Sequence, residues 1–119
     1  MKVMLIAYET PESFEARDNK AKSRAYFDAW NAFADAMRKD GVYRWGLALR
    51  GPETATLISV ENAKRLVQDG PFADAKEQLG GFIIMEAPDM EAAAAWGARC
   101  PAAASGRVEL RPIPNYGEE

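Results

Sequence analysis

Apolar and polar positions divide the chain into segments of distinct period. Lys2-Val3-Met4-Leu5-Ile6-Ala7-Tyr8 is a continuous apolar run of strand formers, and it predicts a central strand buried on both faces or nearly so. Glu9 to Lys20 is polar, contains Pro11, and reads as a loop. From Ser23 to Asp40 the period becomes helical. Tyr26, Trp30, Phe33 and Met37 fall at i, i+4, i+7 and i+11, with Arg24, Asp28, Asp35 and Arg38 mostly on the other side. Gly41 suits the residue just past a helix end.

Trp45–Arg50 and Ala55–Val60 read as strands split by Gly51-Pro52-Glu53. Ala63–Gln68 reads as a short strand joined to its predecessor by a tight connection at Glu61-Asn62. Leu79–Ala87 is a strong strand around Phe82-Ile83-Ile84-Met85, and Asp89 is placed to cap a following helix. Met90–Cys100 is an alanine-rich helix stopped by Pro101. Arg107–Pro112 alternates Val108 and Leu110 with charged residues, a half-exposed strand. The order β-α-β-β-(β)-β-α-β predicts an α+β fold: a ferredoxin-like split β-α-β with an inserted hairpin. Two helices cover one sheet face. The other face needs a partner, and a homodimer through facing sheets is expected.

Composition narrows the functional classes. A chain of 119 residues with 48% hydrophobic and 28% charged residues suits a single globular domain spanning 1–119. A net charge of −3 lacks the basic excess of a nucleic-acid footprint and argues against an anionic membrane surface. Cys100 is the only cysteine, and the apolar start is too short for a signal-peptide core or a membrane span, so a cytoplasmic setting is expected. Histidine is absent, which removes the usual general base near neutral pH and the commonest metal ligand. No metal site is expected, nor any cofactor.

The most particular stretch is Asp69-Gly70-Pro71-Phe72, followed by Ala73-Asp74-Ala75-Lys76-Glu77-Gln78-Leu79-Gly80-Gly81-Phe82. An Asx-type aspartate, a glycine free to take positive φ and a proline of fixed φ make a turn, with Phe72 as an apolar anchor. With Met1 to Ile6, Pro52 to Thr56, Ala98 to Pro101 and Val108 to Pro112, this stretch carries a resemblance. The chain resembles the YciI-related proteins, in the branch named for its Asp-Gly-Pro-Phe tetrapeptide. The resemblance implies a dimeric α+β barrel with a cleft between sheet and helices. It also implies a regulatory setting, since genes of that branch often neighbour extracytoplasmic-function sigma factors. Related members look like small enzymes built around a His–Asp pair. Without histidine that pair does not carry over; the family's helix histidine would fall near Trp30.

Asp69 and Glu77 are the candidate catalytic carboxylates, each with a plain alternative as a turn residue or a solvated connector. Tyr8, Tyr26, Trp30, Asp69 and Phe72 are the candidate ligand-binding residues. Gly80-Gly81 matches no phosphate-cradling motif and reads as a bulge or a close backbone approach. Cys100, near a helix C-terminus, is a poor nucleophile. The leading expectation is a ligand-binding or regulatory module working with a sigma factor. The alternatives are a cofactor-free small-molecule enzyme using cleft carboxylates and a scaffold dimer.

Overall fold

A computed structural model describes residues 1–70 and 77–117. Four strands form one antiparallel sheet in the order β2-β5-β1-β6, where β1 is Lys2–Glu9, β2 Tyr43–Ala48, β5 Gln78–Glu86 and β6 Arg107–Pro112. With the inserted pair set aside, this is the ferredoxin-like strand order. That pair, β3 (Thr56–Glu61) and β4 (Lys64–Asp69), forms a separate two-stranded ribbon.

The segment expected to be a loop after β1 holds a helix, α1 (Pro11–Asp18). The Thr10 hydroxyl accepts a hydrogen bond from the Ser13 N–H at 3.2 Å, Pro11 occupies the first turn, and Glu12 favours the helix start. No residue of α1 is buried, so no apolar period announced it. The long helix α2 (Ser23–Lys39) follows, and Gly41 takes φ +78° just beyond it. Asp89 caps α3 (Met90–Arg99) through the Ala92 N–H at 2.8 Å. Pro101 stops α3 but also opens α4 (Pro101–Ser105), where its missing N–H is no loss.

The central strand is not buried on both faces. Val3, Leu5, Ala7 and Glu9 are buried against the helices, while Met4, Ile6 and Tyr8 on the opposite face are only half-buried. The core lies between sheet and helices. Leu5, Met37 and Met85 are fully enclosed there, and Trp96 of α3 meets Phe33 of α2 at 6.3 Å between rings. The register pairs Trp45 with Ile84 and Leu47 with Phe82, so all four share the open face with Met4 and Ile6. Among the described residues no helix is long and apolar enough to cross a membrane.

Candidate functional site

The sheet surface beneath α2 is paved with small residues. Ala7 of β1, Gly81 of β5, and Gly46 and Ala48 of β2 leave a gap that the α2 stripe of Tyr26, Trp30, Ala34 and Arg38 roofs over. The result is a cavity of about 230 Å³. The glycines are required by close approaches. A Cβ on Gly81 would lie 2.5 Å from the Leu47 carbonyl oxygen, and one on Gly46 would lie 3.0 Å from both Ile83 and the Phe82 carbonyl oxygen.

One end of the cavity holds a buried carboxylate. Glu9, the last residue of β1, is 2% exposed. A bulge aims it. Ala7 pairs with Gly81 but Tyr8 pairs with Leu79, which leaves Gly80 as the extra residue of β5. Any Cβ on Gly80 would collide with Glu9 Oε2, so only glycine leaves the carboxylate its place. Arg17 of α1 reaches it through an ion pair of 2.5 Å, and the Tyr26 hydroxyl donates to its other oxygen.

Arg17 organises this end. Its Nε donates to the Tyr26 oxygen at 3.0 Å, a second nitrogen donates to the Gly80 carbonyl at 3.1 Å, and a third reaches the Leu49 carbonyl. Its guanidinium carbon lies 4.7 Å from the centre of the Phe14 ring. Burial works against the Arg17 charge, but the Tyr26 hydroxyl and the Glu9 carboxylate outweigh it and hold the group above its ordinary pKa. Burial first, and then the Glu9 carboxylate, push the Tyr26 phenol up to about 12. The cluster therefore offers an acceptor carboxylate, ion-paired with a guanidinium, at the end of a mostly apolar chamber. Such a group can take a hydrogen bond, or a proton, from a ligand hydroxyl.

The residues expected from the sequence are scattered. Tyr26 and Trp30 line the cavity. Tyr8 lies on the opposite sheet face, where its hydroxyl donates to Glu109 at 2.8 Å beside the Arg107 guanidinium. That hydrogen bond, with burial behind it, raises the Tyr8 pKa. Asp69 is the exposed last residue of β4 and is not part of the cavity wall. Glu77 is paired with Arg107, also away from the wall. Phe72 lies outside the described residues. Cys100 is buried, and burial pushes its thiol up to about 11.

The site's central residue, Glu9, sits where the sequence showed only a strand end. Two signals bore on it: a charged residue in register with the buried positions Val3, Leu5 and Ala7, and the Gly-Gly pair in the strand opposite. Among the described residues, no three histidine, cysteine or acidic side chains are grouped to hold a metal ion.

A split β-α-β sheet with a cavity between its helical layer and small sheet residues defines a ferredoxin-like α+β protein with an internal pocket. The chain belongs to the YCII-related domain family, whose model matches residues 1–116. Among solved structures it is similar to 5-chloro-2-hydroxyhydroquinone dehydrochlorinase from Burkholderia phenoliruptrix AC1100, in complex with 2,5-dihydroxybenzoquinone. The TM-score is 0.57 at 15% identity, over 96% of this chain and 94% of that one, a likeness of fold. No curated protein matches the sequence.

Proposed function

We propose that this chain binds a small, single-ring, hydroxyl-bearing compound in the cavity under α2, with Glu9 as the acceptor for its hydroxyl. The observation that carries the reading is the buried, ion-paired Glu9 carboxylate at the end of an apolar cavity. Size agrees. An apolar cavity of about 150 Å³ takes benzene, so about 230 Å³ suits a ring with a few substituents. The ring compound held by the structural neighbour is of this kind.

The test is calorimetry with 2,5-dihydroxybenzoquinone and hydroquinone against the protein and its Ala34→Phe variant. Ala34 is a half-buried roof residue, and a phenyl group there fills the chamber. Saturable binding by the wild type, lost in a variant of unchanged circular dichroism, is the expected result. No binding by the wild type, or equal binding by both, removes the proposal.

An enzymatic version is favoured by one feature: the Glu9–Tyr26 pair can accept a proton from a bound hydroxyl and return it. It uses Glu9 in place of Asp69 and Glu77, which stand apart from the cavity. The regulatory version, in which ligand occupancy is passed to an extracytoplasmic-function sigma factor, rests on the family resemblance. Failure of the purified pair to associate at micromolar concentration would remove it. We also infer a cytoplasmic homodimer through the open sheet face. Sedimentation as a monomer at micromolar concentration would count against that dimer.

A further inference from the structure

The β3–β4 ribbon is unlike the rest of the molecule. Every one of its strand residues is exposed, yet five are large and apolar. Ile58, Val60 and Val67 share one face and are 62%, 68% and 57% exposed; Leu57 and Leu66 lie on the other. An isolated two-stranded ribbon is at best marginally stable in water. Among the described residues no helix or strand of its own protomer packs substantially against it. The radius of gyration is 16.2 Å, against about 13.5 Å for a compact chain of this length. The chain is extended by an arm that buries nothing of its own.

A second uncovered apolar surface exists on the same chain: the open sheet face, where Trp45 is 54% and Leu47 39% exposed. We propose that the β3–β4 ribbon is a dimerisation arm that packs its Ile58, Val60 and Val67 face onto the open sheet face of a second copy. The inference rests on the sheet-mediated homodimer inferred above, and adds a distinct contact to it. Two-fold symmetry covers the arm and the sheet face of both protomers at once. The area suits a small interface. Ile58, Val60 and Val67, with Trp45, Leu47 and Leu79, are about half exposed and present on the order of 600 Å² per protomer, most of the ~800 Å² per partner of a standard interface. Charge fits a second copy too. The ribbon carries Glu61 and Asp69 against Lys64 and Arg65, so it is neutral and commits to no strongly acidic or basic partner.

The experiment is sedimentation velocity on the wild type, the ribbon variant Val60→Asp/Val67→Asp and the sheet variant Trp45→Asp. Photo-cross-linking from a benzophenone residue at Ile58, in a mixture of isotope-labelled and unlabelled chains, accompanies it. The expected results are a wild-type dimer, at least about 100-fold weaker association in the ribbon variant, and cross-links from unlabelled arms to labelled β2 or β5 peptides. A dimer weakened only by Trp45→Asp, with cross-links confined within one chain, overturns the arm and leaves the sheet dimer standing. A wild-type monomer overturns both. The cross-linking readout holds even if the aspartate variants fail to fold.

Discussion

At the scale of single residues, the molecule turns on Glu9. Removing it strands the Arg17 guanidinium, whose side chain is only 12% exposed, without its anion. Breaking one side of a buried ion pair leaves an uncompensated charge and costs about 3 kcal/mol. Glu9→Ala is therefore expected to lower the unfolding free energy by about that much, and Glu9→Gln, which also removes the anion but keeps an acceptor, by a somewhat smaller amount. Urea denaturation of the three proteins checks the order. Tyr26 makes a second test. Its folded pKa is raised from 10.0 to about 12, so its contribution is present below pH 10 and fades as pH rises through 12. Ultraviolet titration of native protein should show one phenol ionising near pH 12 that Tyr26→Phe lacks. The wild type should lose its stability advantage over that variant across the same alkaline window.

At the scale of elements, α2 and β6 were legible because each carries an apolar period, β1 and β5 because they are apolar runs of strand formers, and α3 because it is rich in alanine and opens on Asp89. Helix α1 was not, because it buries no residue and is held by a cap, a first-turn proline and Arg17. Helix α4 was hidden because proline ends one helix and begins another with the same residue. The site was legible only where it rests on that helical period: Tyr26 and Trp30 lie on the α2 stripe that faces the sheet. Glu9 depends on a bulge formed by a residue some seventy positions away, and strand alternation sends Tyr8 to the far face. The ribbon turn offers a prediction at this scale. Asn62 and Ala63 both hold positive φ, 49° and 63°. Asparagine tolerates this; alanine pays roughly 1–2 kcal/mol for it. Ala63→Gly should stabilise the ribbon by about 1 kcal/mol, read as slower amide exchange in β3 and β4.

At the scale of the whole molecule, stability is uneven. Strands β1 and β5 lie at the centre of the sheet with Leu5 and Met85 fully buried, whereas α1 has no fully buried apolar residue. Regions with few buried apolar contacts open first. Native-state hydrogen exchange should therefore find β1 and β5 slowest and α1 among the fastest helical segments. Equal protection of α1 and β1 would refute this account of what holds the helix. The ligand proposal sits on the same gradient. Strands β1 and β5, the slow part, supply much of the cavity floor, while Arg17 brings the faster α1 to its charged end.

The chain's three tryptophans are distributed one to each region of interest. Trp30 stands in the cavity roof, Trp45 on the open sheet face, and Trp96 against Phe33 in the core. Intrinsic fluorescence thus divides into three separable reporters. In single-tryptophan versions of this protein, quenching at position 30 would follow occupancy, a blue shift at position 45 would follow self-association, and emission at position 96 would follow unfolding, all without an added dye.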